Sequence, residues 1–259
     1  MATSYSSQLE ESVNAVEEKA DRIERAKNTE QKVDSATDSI KRITVKLDDI
    51  DTRAEELGFY VSVLEEVFDG DRSDCAGLVD AIDDASQGAN IEDEEILTAA
   101  EKVSFAGYYS RLDSAENSLD DAIDRVKNHI EDEYIDGRAA ELNSAKELNS
   151  IIGGQNDDFV SHIRKMQSFL RTEVWNTSTS ISSLSARWDR LKSEWEEHSS
   201  KQGWETFQRE HGLSDSTIED LKQFTGNDPV RLADLSIQSL EEIKEVDELE
   251  SALQVELRS

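Results

Sequence analysis

The chain has 259 residues and carries 59 acidic against 28 basic side chains, a net charge of −31. A field of that sign repels phosphate backbones and anionic lipid, so direct nucleic-acid and membrane-surface binding are excluded as default activities. Only 36% of the residues are hydrophobic and 34% are charged, which suits long helices with one narrow apolar stripe better than an α/β core of continuous buried strands.

The acidic residues are spread along the whole chain rather than gathered in a tail. Lysine is sparse, with 13 Lys beside 15 Arg. This distribution resembles that of cytosolic proteins of halophilic archaea, in which short-ranged screening lets carboxylates crowd together. A recognition surface for a basic partner, or a mimic of DNA, is the other reading of the charge. The lone cysteine, Cys75, allows no internal disulfide, and no basic neighbourhood activates its thiol. The N-terminal residues are polar and lack the basic and apolar regions of a secretory signal. No apolar run is long enough to span a bilayer. A cytoplasmic protein is expected.

Read in chain order, the first segment is the clearest. Leu9, Val13, Val16, Ala20 and Ile23 alternate spacings of four and three. Val33, Ala36, Ile40, Ile43, Leu47, Ile50, Ala54 and Leu57 resume the pattern, which runs on to Phe68. These are the a and d positions of a heptad repeat and call for a partner helix. The two runs differ in phase by one residue, with the slip between Arg25 and Lys32, where a bend or a change of supercoil is expected. One long helix is predicted over residues 5–68.

Residues 69–93 contain Gly70, Gly77 and Gly88 among aspartates and read as a turn, a short helix and a loop. A second long helix, 91–152, is predicted to start at an Asn90 cap. Its stripe runs through Leu112, Ala115, Leu119, Ala122, Val126 and Ile130, then Leu142, Ala145 and Leu148, with Gly137 as a candidate kink. Gly153 to Asp157 is the strongest turn signal. A third helix is predicted over 157–200, with Trp188 and Trp195 seven residues apart on one face. Together these read as an all-α region, 1–204, of long antiparallel helices, coiled-coil or bundle-like. A small helical module is predicted over 205–259, with Ser214 or Asp215 as a cap and a turn at Gly226 to Pro229.

Residues fit for chemistry are scarce. The four histidines, His129, His162, His198 and His211, include no pair at helical metal-binding spacing. Asp132 and Glu133 beside His129 are ordinary neighbours in so acidic a chain. Asp69, Asp71 and Asp74 around Gly70 lack the calcium-loop pattern. Phosphate-binding glycine motifs and the nucleophile elbow are both absent from the sequence. No catalytic residue, no metal and no cofactor is therefore assigned, and an enzyme is not expected.

The expected activity is non-catalytic: a coiled-coil scaffold or accessory subunit that binds a protein partner, or itself, through its heptad faces. Ile40, Leu47 and Leu57 on the first helix are the candidate contact residues. Trp188, Trp195, Trp204 and Phe207 join them, because tryptophan and other aromatics dominate interface hot spots, with core packing as the alternative role. An acidic nucleic-acid mimic that inhibits a DNA-binding protein is a second reading, although carboxylates surrounding the helices fit phosphate spacing poorly. The stretch Leu213 to Leu257, "LSDSTIEDLKQFTGNDPVRLADLSIQSLEEIKEVDELESALQVEL", is similar to the helical tails of large P-loop ATPases of phage-defence systems. That resemblance implies a role as an accessory part of such a machine, with the ATPase supplied by a partner, and it assigns no functional residue.

Overall fold

The computed structural model describes residues 3–152, 157–198, 202–225, 230 and 234–253, with the side chains of the first helix described from Ala15 onward. Every regular element among them is helical. By packing, the chain divides into two compact units, residues 1–57 with 77–123 and residues 58–76 with 124–259.

The first unit is built on α1 (Thr3–Ser62), α2 (Leu78–Ala89), α3 (Asp93–Lys102) and α4 (Ala106–Ile130). α1 is helical straight through the phase slip at residues 25–32. α1 and α4 run parallel, since their contacts climb both helices together. The Tyr109 hydroxyl donates to the Ser39 carbonyl over 3.0 Å. Lys46 pairs with Asp113 and, at 3.4 Å, with Glu116, and Arg53 meets Asp120 at 3.2 Å. α2 and α3 carry the chain back so that a parallel pairing is possible at all. α2 approaches α4 at Gly88, where a Cβ would sit 2.8 Å from the Ala115 Cβ and 2.9 Å from the Arg111 carbonyl oxygen. Arg111 in turn donates to the Asn90 and Gln87 carbonyls and closes the end of α2.

The helix expected over 91–152 does not begin as one piece. Asn90 ends α2 rather than capping the next helix, and the N-cap of α3 is Glu92, with no side-chain bond. α3 stops at Val103, which takes a left-handed conformation at φ 51°, ψ 44°, while Val103 and Ser104 amides close onto the Ala100 and Ala99 carbonyls. A β-branched residue in that region is strained. Neither glycine nor proline marks the spot, so residue type alone gives no sign of the break. From α4 onward the helix does run unbroken in register: a π-helical turn, Glu131–Ile135, leads into α5 (Asp136–Ile152). Gly137 sits just inside α5 and produces no break; the wide turn lies one step before it.

In the second unit α1 ends in another π-helical turn, Val63–Val67, followed by a short 3₁₀ turn at Arg72–Asp74. The Asp71 carboxylate accepts from the Ser73 amide at 2.8 Å and holds that turn. α6 (Asp157–Ser168) and a third π-helical turn, Phe169–Glu173, precede α7 (Ile181–Glu196). The third predicted helix is therefore two. The Asn176 side chain accepts from the Ser178 amide at 3.1 Å, and the polar run from Asn176 to Ser180 reverses the chain. α7 then lies antiparallel to α6, with His162 against Glu194 near one end and Phe169 stacked on Trp188 further along. The glycine turn predicted at 153–157 falls almost wholly outside the described residues, as does the one at 226–229.

The remaining helices are α8 (Trp204–His211), α9 (Asp215–Gln223), α10 (Ile237–Lys244) and α11 (Asp247–Ala252). Ser214 caps α9 as expected, accepting from the Thr217 amide. The Glu242 carboxylate accepts from the Ser214 amide and from the Ser214 and Thr217 hydroxyls at 2.7–2.9 Å, joining α10 to the start of α9. These helices share their apolar core with α5: Leu148 packs with Trp204, Phe207, Leu221, Ile243 and Leu249. By packing, the stretch predicted as a module from 205 belongs to the second unit.

Candidate interaction surface

The predicted stripe of α4 and α5 is covered throughout. Leu112, Ala115, Ala122, Val126, Ile130, Leu142, Ala145 and Leu148 have no exposed surface, and Leu119 is 5% exposed. In α1 the outcome depends on position. Ala36, Ile43, Ile50 and Leu57, one residue per heptad, are buried. Upstream of Ala36, every side chain from Ala15 to Ser35 is exposed. Val16, Ile23 and Val33 stand 66%, 59% and 58% in water. Burying each would be worth roughly 1.5–3 kcal/mol. The apolar seam thus continues N-terminally past the level at which α4 begins, with nothing from this unit upon it.

Three of the predicted contact residues lie on this helix. Ile40 is exposed at 37%, Leu47 is half-buried and Leu57 is buried. The aromatic four are core: Trp188, Trp195, Trp204 and Phe207 are each 5% exposed or less. Trp188 stacks on Phe169 with centroids 5.3 Å apart, and Trp195 on Phe159 at 5.8 Å. Their polar edges are engaged inward, as the Trp195 and Trp204 indoles donate to Glu141 and Glu147. Of the two roles that the sequence left open for them, packing is the one realised.

The charges flanking the seam are ordered. Carried back from Leu47, Ile40 and Val33, the a positions reach Ala26. The one-residue slip thus falls between Glu24 and Arg25, at the edge of the stretch expected for it, and Val13 and Ala20 are the a positions of the run before it. The preceding g positions hold Lys19 in the first run and Arg25, Lys32, Ser39 and Lys46 in the second. Arg53 is the next g. Ser39, Lys46 and Arg53, seven residues apart, are the residues that bond to α4. The same row continues upstream as Lys32 and Arg25, and Lys19 holds the g position of the run before the slip; none of the three makes an ion pair among the described residues. The e positions there hold Glu17, Glu24 and Glu30. This signal lies in the charged positions beside the apolar residues and not in the apolar spacing itself.

Two clefts accompany these surfaces. One, of about 530 Å³ in the first unit, is lined by Lys41, Arg42, Val45, Lys46, Tyr109 and Asp113. Asp113 and Glu116 bound to Lys46 hold its ammonium above the usual lysine range, first through the Asp113 hydrogen bond. The other, of about 350 Å³ in the second unit, brings Phe68, Tyr134, Arg138 and Trp188 together. Its cations are already matched, Arg138 by Glu141 and Lys192 by Asp189.

Among the described residues no three or more His, Cys, Asp or Glu side chains gather as metal ligands. His129 packs edge-on to Tyr134 instead. His162 is 4% exposed and lies 3.1 Å from Glu194. Burial lowers its pKa below the ordinary value despite that carboxylate, so the neutral ring donates from Nδ1 to Glu194. Cys75 is buried, and desolvation raises its thiol pKa, the condition of a packing residue rather than a nucleophile. Among the described residues no helix is long and apolar enough to cross a membrane. The fold and this surface define an all-α, bundle-like protein with an uncovered helical seam among the described residues. No family model, curated protein or solved structure matches the chain.

Proposed function

We propose that the protein is a non-catalytic helical interaction protein, a coiled-coil scaffold or an accessory subunit of a larger assembly, that docks a helix along the N-terminal part of α1. The observation that carries this reading is the exposed seam at Val16, Ile23 and Val33. Apolar side chains at a and d positions on an otherwise uncovered helix are what a coiled-coil partner buries, and in proteins most of a helix's stability comes from packing of its apolar face. The acidity is assigned to adaptation to a salty cytosol, since it is spread over the whole chain.

The test is a tagged full chain recovered from its host in molar KCl, beside a Val16→Asp, Ile23→Asp, Val33→Asp variant. Wild type should bring down a stoichiometric chain, either another protein or an untagged copy of itself, that the variant loses. Equal recovery by both would remove the seam from the function.

A further inference from the structure

Resting on that reading, we infer that the occupant of the exposed seam is a second copy of this chain, paired in parallel and in register over residues 15–35. The argument is one of charge. Within each run a flank carries a single sign: Lys19 at g with Glu17 and Glu24 at e before the slip, and Arg25 and Lys32 at g with Glu30 at e after it. In a parallel pair, g of one helix faces e of the following heptad on the other. Lys19 then meets Glu24 of the second copy and Arg25 meets Glu30, and symmetry doubles both pairs. An antiparallel pair would set g against g and e against e, lysine against arginine and glutamate against glutamate. A uniformly acidic foreign helix would satisfy the basic flank and repel the other, and a basic one would do the reverse. The helix that satisfies both flanks is one with the same pattern.

The rest of the chain points the same way. Residues 15–35 contain six acidic and five basic side chains. That stretch is close to neutral in a chain of net charge −31, so two copies meet there with little mutual repulsion. α1 already pairs in parallel further along, with Ser39, Lys46 and Arg53 of the same g row reaching α4. The second copy takes up that seam N-terminal to the level at which α4 begins.

Crosslinking and sedimentation of the full chain test this. On a Cys75→Ser background checked for helicity, Ile23→Cys puts a thiol at d, where a parallel in-register pair brings two sulfurs together. Asp21→Cys puts one on the outer face. Mild oxidation in molar KCl should convert the first to covalent dimer and leave the second mostly monomeric. Separately, with Cys75 intact, Lys19→Glu with Arg25→Glu should weaken dimerisation about tenfold at the lowest salt at which the chain stays folded. Adding Glu24→Lys and Glu30→Lys should restore it. A monomeric wild-type mass at every concentration, equal crosslinking at both sites, or no recovery on the charge swap would overturn the pairing. A monomer that still captures a different protein through Val16, Ile23 and Val33 would overturn self-pairing alone. Indifference of every association to those three residues would overturn the docking reading with it.

Discussion

Residues 15–35 of α1 and residues 112–148 of the α4–α5 run both carry apolar stripes built largely on steps of three and four, and the two meet opposite fates. Along the second run each stripe residue is sealed, from Leu112 to Leu148. Along the first, Val16, Ile23 and Val33 stand mostly in water. The difference shows what a heptad repeat specifies: a face and a spacing, but not whether the chain itself supplies the cover. Flanking charge separates the two cases better than the apolar residues do. Where α1 is covered, its g-row residues Lys46 and Arg53 find carboxylates on α4; upstream, the same row has none within the described residues.

The contrast breaks most visibly at a sealed position. Leu142→Ala removes a side chain with no exposed surface and should lower stability by about 2–5 kcal/mol, read as a shift of the denaturant midpoint. If the loss were under about 1 kcal/mol, the second run would be no better packed than the first.

Acid should act on the packed unit through two identified groups. The His162 pKa lies below its ordinary 6.5, mainly through burial and against the pull of Glu194, with His198 and Lys165 adding to the lowering. The unfolded chain therefore takes up the proton first, and stability falls as pH drops below about 6.5. Glu242 is lowered from 4.5 to about 2, first by the Ser214 amide hydrogen bond and then by Thr217 and Gln238. Its contribution is complete above the ordinary value and is lost as pH falls from 4.5 towards 2. Thermal melts across pH should show His162→Gln flattening the first decline and Glu242→Gln the second. Unchanged profiles would mean that neither group is linked to folding.

The smallest effect belongs to the exposed seam. Ile23→Asp should leave the stability of the monomer within about 0.5 kcal/mol of wild type, measured at a concentration too low for association. A large loss there would show that the seam is covered within the chain after all.

Much of the fold was legible in the residues. The all-helical class followed from the sparse proline and the long stripes, and the predicted stripe of α4 and α5 is buried throughout. A cap at Ser214 or Asp215 was legible because such side chains suit an unpaired amide at a helix start, and Ser214 is the one that fills it. The breaks were harder. Val103 sits in a left-handed conformation that its residue type disfavours, so only packing around it could reveal the end of α3. The Asn176 to Ser180 turn had a polar signature, but neither glycine nor proline to mark it. The aromatic contact candidates illustrate the same limit, since Trp204 and Phe207 serve equally as core or hot spot until their neighbours are known. Here those neighbours are Leu148, Ile218 and Leu221.

The sequence by itself determined the helical class, the direction in which each stripe faces and the order of charge beside it, because these depend on periodicity along one chain. Tertiary structure alone decided that α1 and α4 run parallel, that α6 folds back on α7, and that cover stops short of residues 15–35. Those outcomes depend on where the chain reverses and on which seam a finite helix reaches, and a periodic pattern contains no record of either.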